Sequence, residues 1–333
     1  MRIEIIAELA QGFEGRPEQA RLLMKAASAA GADAAKYQLV YADELATPDY
    51  EHYELFQSLE MEDAVWEELA RYATELGINL YLDIFGSRGL KLATRLGIPA
   101  VKLHGTDIAN VGLLEEVAKS SIPKVFLGAG GALFNELENA INILSGKDIA
   151  VLLGFQGYPT PNESNQIARV SLLSDRFRES HPRVAVGFAD HAPPDSPLRY
   201  AVASTAIGAG ARCLEKHLTL GQVMKLEDHE SALNPDEFAE FCRVVRDCAL
   251  AYGETSDSPD FGMSSAENDY RKAIRRHVVV RHKVAAGAHL EPKDLVLKRS
   301  SADDVLTDLT LAYGKTLKRD FKKNTPITLK DIA

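Results

Sequence analysis

The chain has 333 residues, 46% of them hydrophobic and 26% charged, with a formal net charge of −10. That length suits one large domain plus a small one, and the composition is that of an ordinary soluble globular protein. The acid excess argues against nucleic acid as a main partner, and no apolar run approaches the ~20 residues that cross a bilayer. The three cysteines, Cys213, Cys242 and Cys248, are a sparse, odd set without close pairs. They suit a reducing compartment better than a disulfide framework. The opening MRIEIIAELA has no basic region followed by a long apolar run, so no signal peptide is expected and a cytoplasmic location is.

From residue 3 to about 252, short apolar runs alternate with amphipathic stretches. Residues 3–7 predict a strand, and 17–30 (PEQARLLMKAASAA) a helix with Pro17 in its first turn, where a missing N–H does no harm. A strand at 34–38 leads into 41–59, which reads as an elaborated loop. Helix and strand then alternate at 61–76 and 79–83, 88–96 and 100–103, 111–120 and 124–127, 133–144 and 149–153. A helix at 165–180 precedes a βαβ unit over 184–217, and the last helix is 236–252. Eight β–α pairs over ~250 residues are the rhythm of an α/β chain folded as a (β/α)8 TIM barrel. The alternative, a doubly wound open sheet, should carry G-x-G-x-x-G in its first turn. The first turn here, Glu8-Leu9-Ala10-Gln11-Gly12-Phe13, does not.

Residues 253–271 change character, being rich in Ser, Gly, Asp and Glu with few aliphatics, and read as a linker between a barrel at 1–252 and a module at 272–333. The module is β-rich, beginning with an alternating, β-branched run at 273–280. VAAGAHL and KKNTPI each place a Gly or Asn turn before an apolar residue, and each is followed by an acidic turn, EPKDL or LKDIA. The two halves look like weak internal repeats. So small a module has little core of its own, so it is expected to pack on a barrel, its own or a partner's.

Barrel chemistry sits at the C-terminal ends of the strands. The polar residues there are Glu8, Lys36 and Gln38, Asp83, Lys102 and Asp107, Gln156 and Tyr158, Asp190 and His191, Glu215 and His217, with Asp228 just beyond. Within 184–217, VGFADH and LEKH end adjacent parallel strands in His191 and His217. Two imidazoles at one end of neighbouring strands are a plausible start of a divalent metal site; the other reading is that both cap strands as ordinary hydrogen-bonding groups. Lysines amid this many acids suit an anionic substrate plus a metal; the other reading is a salt-bridged rim.

These motifs resemble, over almost the whole length, the sialic acid synthase family, which includes legionaminic and pseudaminic acid synthases and spore-coat polysaccharide synthase homologues. The resemblance rests on IAELAQGFEG with Glu8, GADAAKYQ with Lys36 and Gln38, and IPAVKLHGTDIAN with Lys102, Asp107 and Asn110. It continues through YPTPNES with Tyr158, VGFADH, LEKH, and Asp228 ahead of ALNPDEF. The C-terminal module resembles the small β-clip SAF (antifreeze-like) domain of that family, with Arg299 in LVLKR matching its sugar-contacting arginine. The resemblance implies a transferase of surface polysaccharide biosynthesis. It would join phosphoenolpyruvate to the open-chain aldehyde of an N-acylated amino sugar, releasing phosphate and forming a 2-keto-3-deoxy nonulosonic acid. It further implies that His191 and His217 hold Mn2+ or Mg2+, and that Glu8 and Asp107 are the catalytic acids. Lys36, Lys102 and Gln156 would meet the donor, Gln38, Tyr158 and Asp228 the sugar. Arg299 would reach the acyl group, commonly from the other subunit of a domain-swapped homodimer.

The departures from the family pattern are concentrated. Gly12-Phe13 replaces Asn-His, Asp83-Ile84-Phe85 replaces Thr-Pro-Phe, and Gly105 replaces a serine. Gly128-Ala129-Gly130 replaces Ser-Thr-Gly, Gln156 an asparagine, and Ala189 the serine of Ser-Asp-His. Losing four hydroxyl donors, at ~1.5–3 kcal/mol per hydrogen bond to a charged group, is expected to remove most phosphate affinity, and Asp83 adds repulsion. Backbone N–H groups of residues 128–131 are a possible replacement. The alternative function is a metal-dependent aldolase or condensing enzyme of the same fold with a different donor, an unphosphorylated acid among the options. A barrel that binds sugar or metal without turnover is the third reading, and retention of Glu8, Lys36, Lys102, His191, His217 and Asp228 argues against it.

Overall fold

Eight parallel strands close on themselves in sequence order. They are β1 (Glu4–Ala10), β2 (Ala34–Leu39), β3 (Asn79–Ile84), β4 (Ala100–Leu103), β5 (Lys124–Gly128), β6 (Asp148–Leu153), β7 (Val184–Asp190) and β8 (Cys213–His217). β1 and β8 complete the ring, paired from Glu4 with Cys213 to Glu8 with His217. The structure, a computed structural model, describes residues 2–155, 157–254 and 256–333. The expected TIM barrel is therefore present, and the open doubly wound sheet is excluded.

The helices surround the ring: α1 (Pro17–Ala29), α2 (Ala42–Leu45), α3 (Tyr53–Leu59), α4 (Asp63–Leu76), α5 (Ser87–Arg95), α6 (Val111–Lys119), α7 (Phe134–Ile143), α8 (Ala168–Ser180), α9 (Ala201–Gly208) and α10 (Pro235–Tyr252). Local chemistry sets their ends. Pro17 and Pro235 open α1 and α10, where a fixed φ and a missing N–H are tolerated. Gly77, at φ +67°, closes α4 in the left-handed conformation that glycine adopts without a Cβ penalty. Two readings change. The stretch 41–59, read as loop, contains α2 and α3, and the helix of the βαβ unit, whose helix-like run spans 197–211 in the sequence, is only α9, with residues 197–200 forming turns before it.

Strand residues alternate between the helix-covered shell and the barrel interior. The lower interior is filled by Ile6, Ala34, Tyr81, Ala100, Phe126, Ala150, Leu152 and Cys213, all buried. Two residues further along several of the same strands stand Glu8, Lys36, Asp83, Lys102 and Glu215, so an apolar floor gives way to a charged layer. β1 carries a register shift between Glu8 and Ala10, and Ala10 has φ +44°. Such an irregularity at a barrel rim re-aims the side chains beside it.

By contacts the chain divides into two units, Met1–Gly253 and Glu254–Ala333. In the second, the stretch read as linker carries a helix, α11 (Ser265–Ile274), started by a capping box between Ser264 and Glu267. It ends inside the run read as β from 273; the strand there is β9 (His277–Val280), antiparallel to β10 (Leu295–Lys298). The weak repeats have structural counterparts. Gly287 and Asn324 both have positive φ, and short 3-10 turns at Pro292–Asp294 and Leu329–Asp331 each end in a buried aspartate that closes a capping box. This unit has its own small core of Val278, Val280, Leu290, Leu306, Phe321 and Ile327.

Phe13 belongs to packing rather than to the site. It is fully buried, edge-on to Trp66 at 5.7 Å and to Tyr37 at 6.0 Å, between β2 and α4. Removing such a ring leaves a cavity as well as losing transfer energy. Phe13→Ala should lower the unfolding free energy by about 3–5 kcal/mol. Urea denaturation reads this directly, and a loss under ~1 kcal/mol would contradict the packing role.

Candidate active site

Strand register brings the charged layer together. Glu8 pairs with Lys36 in β1–β2, and Asp83 with Lys102 in β3–β4. Across the barrel, Glu215 on β8 meets both lysines. Lys36 Nζ donates to Asp83 Oδ1 at 2.8 Å, lies 3.4 Å from Glu215 Oε2, and contacts Glu8. Lys102 Nζ donates to Glu215 Oε1 at 2.6 Å, and lies 3.6 Å from Asp83 Oδ2 and 3.9 Å from Glu8 Oε2. The salt-bridged reading of these lysines therefore holds, though inside the barrel rather than on a solvated rim.

Burial sets the protonation of this layer. It pushes the Glu8 carboxyl up to about 8, against the pull of Lys36 and with Glu215 and Asp83 adding repulsion. Glu215 suffers the same burial, yet Lys102 and Lys36 hold it well below the usual carboxylate range. The two acids share both lysines, so they titrate as a set. Burial and the neighbouring carboxylates favour the proton on Glu8, while Lys102 and Lys36 favour the ionised form of Glu215. Glu8 Oε1 also accepts the N–H of Ala10 at 2.8 Å, which ties its carboxyl to the β1 irregularity.

Beside this layer stand the imidazoles. The rings of His191 and His217 are 5.2 Å apart, and both side chains are nearly inaccessible. Burial lowers His191 to about 4 and His217 well below its ordinary value, with His191 reinforcing the shift at His217. Both are therefore neutral at pH 7, the form in which a ring nitrogen can ligate a metal. Among the described residues, His191 Nδ1 is a buried nitrogen with no hydrogen-bond partner. His217 Nδ1 faces Asp228 Oδ2 at 3.9 Å, and burial, with Glu227 and Glu230 nearby, raises Asp228 to about 6. No group of three or more His, Cys, Asp or Glu among the described residues is arranged to hold a metal. The chemistry present is a pair of neutral imidazoles. The residues just before the histidines brace them: Lys216 Nζ lies 3.1 Å from Asp190 Oδ1 and donates to Ala192 O at 2.8 Å.

The sugar-side residues divide. Tyr158 lies edge-on to both imidazole rings, at 5.1 and 5.6 Å. Gln38 accepts from Gln11 Nε2 at 2.7 Å and lines a cavity of about 750 Å3 with Asp43, Phe85, His104 and Asp107. Asp107 stands in this cavity's wall, bonded to Asn110 and Thr106 of its own loop, and not in the buried layer with Glu8. Gln156 lies outside the described residues. Arg299 directly follows β10 and is exposed in the second unit.

With this geometry in place, the comparisons assign the chain. Residues 23–257 match the family model described as NeuB family. The chain belongs to the NeuB family. Residues 275–333 match the SAF domain model. Among relatives, an uncharacterized protein of Methanocaldococcus jannaschii is 28% identical over 333 residues, covering 98% of this chain and 94% of that one. The N,N'-diacetyllegionaminic acid synthase of Legionella pneumophila is 26% identical over 349 residues, covering 98% and 94%. The crystal structure of N-acetylneuraminic acid synthetase from Leptospira borgpetersenii has the same fold, with a TM-score of 0.73 at 23% identity over 82% of this chain and 93% of that one.

Membership in the NeuB family makes the chain an enzyme of the condensing transferase class. Within this NeuB-family barrel, two members of the charged layer were not among the residues assigned a role from sequence, namely Asp83 and Glu215. The signal was present in the period of two. Glu215 stands two before His217, and Asp83 two after Tyr81, so each shares an inward face with a residue already placed inside.

Glu8 gives the NeuB-family site a pH signature. A carboxyl raised from 4.5 to about 8 keeps its proton in the folded state while the unfolded chain releases it. Its contribution to stability is thus fully present below 4.5 and declines as pH rises through about 8. The opposite contribution from Glu215 lies below its ordinary value, outside that window. Glu8→Gln should flatten the fall in stability between pH 5 and 8, measured by denaturant midpoints across pH. An unchanged slope would remove Glu8 as its source.

Proposed function

We propose that the chain forms a carbon–carbon bond between a three-carbon acid donor and the open-chain aldehyde of an N-acylated amino sugar. The product is a 2-keto-3-deoxy nonulosonic acid for surface polysaccharide. The observation that carries this reading is the pair of neutral, buried imidazoles set against a lysine–carboxylate layer at the C-terminal mouth of the barrel. The names of the Legionella and Leptospira relatives, a legionaminic acid synthase and an N-acetylneuraminic acid synthetase, support the product class. Phosphoenolpyruvate is the donor implied by the resemblance.

In this reading His191 and His217 would hold a divalent ion, manganese or magnesium. When bound, it would act as a Lewis acid on the aldehyde oxygen. The chain's own residues do the rest. Lys102 and Lys36, with Gln156, offer positive charge and donors to the donor carboxylate. Glu8, protonated at neutral pH, can donate to the developing alkoxide. Tyr158, Asp228 and Gln38 meet the sugar, and Asp107 contributes from the cavity wall. Arg299 would complete the acyl subsite from the partner in a domain-swapped homodimer. No described helix is long and apolar enough to cross a membrane, and action in the cytoplasm fits the sparse free cysteines.

Two experiments test this. Manganese at 100 times its dissociation constant should stabilise the protein by about 2.7 kcal/mol, and His191→Ala and His217→Ala should each abolish that gain. Retention of the gain in both variants would sink the metal assignment. Incubation with a panel of N-acyl amino-sugar aldehydes and acid donors should yield a nonulosonic acid by mass spectrometry. Absence of carbon–carbon product from every pairing would reject the reaction class.

A further inference from the structure

The C-terminal face of the barrel is not uniform in charge. On the side of β1 to β4, the cavity of about 750 Å3 has Asp43, Glu44 and Asp107 in its lining and, among the described residues, no lysine or arginine. Between the tips of β5 and β6 lies a smaller pocket of about 50 Å3. Gly130, Gly131, Ser164, Asn165 and Arg169 line it, with no aspartate or glutamate among the described residues. At roughly 10–15 Å3 per water-sized sphere, that is room for about four oxygen-sized atoms, enough for a tetrahedral oxyanion and too little for a sugar ring.

Arg169 is the second residue of α8, whose first turn holds no acid and whose start has no side-chain cap. A helix N-terminus carries partial positive charge and favours anions, so a cation placed there is unfavourable by itself. The Arg169 side chain is exposed and makes no ion pair or hydrogen bond among the described residues. Across the pocket, Gly130 and Gly131 form the turn after β5, and Gly131 takes φ +78°. Their N–H groups make no backbone hydrogen bond among the described residues. Successive free N–H groups in a turn make a concave seat for an anion, and the missing Cβ lets it come close to the backbone. The third wall is held in place by Asn165. It is buried, and its amide donates to Pro161 O at 3.3 Å and Asn162 O at 3.1 Å, fixing the loop that carries Ser164.

The lysines of the charged layer are already engaged by Asp83 and Glu215. A phosphoryl group brings about −1.5 to −2 charges at pH 7, and it needs a cation of its own. We propose that Arg169 and the Gly130–Gly131 turn form a phosphoryl-binding subsite on the β5–β6 side of the mouth. The planar guanidinium fork matches a pair of phosphate oxygens, and the backbone N–H groups take the others. A chain with Gly105, Gly128 and Ala189 in place of hydroxyl side chains thereby draws its phosphate donors from the start of α8 and from a glycine turn. The assignment of this group to a substrate rests on the condensation proposed above; binding of phosphate itself does not. The same chemistry belongs to a phosphorylated donor and to a phosphate ester of the sugar, and the two are separated by measurement.

The test is calorimetric titration of the full-length protein with inorganic phosphate, phosphoenolpyruvate and N-acetylmannosamine 6-phosphate. Arg169→Gln should weaken inorganic phosphate and the phosphorylated substrate by about tenfold or more, the worth of one hydrogen bond to a charged group. Arg169→Lys, which keeps the charge without the fork, should recover part of the loss. Arg176→Gln is the control for general surface charge: Arg176 lies over the Phe134 ring at 4.5 Å, outside this pocket, and its loss should leave all three affinities unchanged. A loss for phosphoenolpyruvate assigns the group to the donor, and a loss for the sugar 6-phosphate assigns it to the acceptor; either supports the subsite. In turnover, Arg169→Gln should raise KM for that substrate more than it lowers kcat. Equal affinities in wild type and Arg169→Gln overturn the subsite, as does an equal loss in Arg176→Gln or a wild type that binds none of the three. Product formed from phosphoenolpyruvate with wild-type KM for both substrates in Arg169→Gln rejects the subsite and keeps the condensation. Phosphate affinity lost in Arg169→Gln, with no carbon–carbon product from any pairing, keeps the subsite and rejects the condensation.

Discussion

Two ammonium groups in the interior of a barrel must be compensated by anions, and this constraint organises the site. An unpaired buried charge is among the most destabilising features a fold can contain. Lys36 and Lys102 are therefore compensated by the carboxylates of Asp83 and Glu215, from β3 and β8, with the protonated carboxyl of Glu8 on β1 beside them. Only a closed parallel barrel brings those strands to face one another at a common height. The apolar floor of Ile6, Ala34, Phe126 and their neighbours excludes water from below and strengthens every charge interaction above it. The same dryness keeps His191 and His217 neutral and gives Glu8 its proton.

Much of the fold was legible in the sequence because the signal was local. Alternation of apolar runs with amphipathic stretches is a property of neighbouring residues, and Pro17 and Gly77 mark helix ends wherever they occur. What escaped reading was set by competition between local and tertiary terms. The stretch 41–59 lacks a long amphipathic period, so α2 and α3 were hidden in it. The residues around 265–274 are polar enough to pass for linker, yet a capping box at Ser264 and Glu267 suffices to start a helix there.

The site was legible in a different way. His191, His217, Glu8 and the lysines were found by their place at strand tips, and the barrel brings those five together. Pairing across strands was not readable, because register is fixed only when the ring closes. Asp83 looked like added repulsion when set beside an imagined phosphate. In the folded protein it is also the partner of the two ammonium groups, a pairing that the sequence does not display. Phe13 was read as a departure from the family pattern, and its place in the fold was not. It packs against Tyr37 of β2 and Trp66 of α4.

The ion pair of Lys216 with Asp190, together with the bond from Lys216 to Ala192 O, joins the tips of β7 and β8 behind the imidazole rings. It acts as a truss. The strand backbones and this buried brace hold the rings from behind, while Thr160 N–H and the Ser231 hydroxyl, from the loops after β6 and β8, donate to His191 O, and Leu233 N–H donates to His217 O. Beyond these few anchoring bonds the loops carry no geometric duty toward the rings. Insertions and exchanges in them can reshape the mouth for a new sugar while the catalytic frame keeps its dimensions, so this brace gives the chain room to evolve its specificity without rebuilding its chemistry.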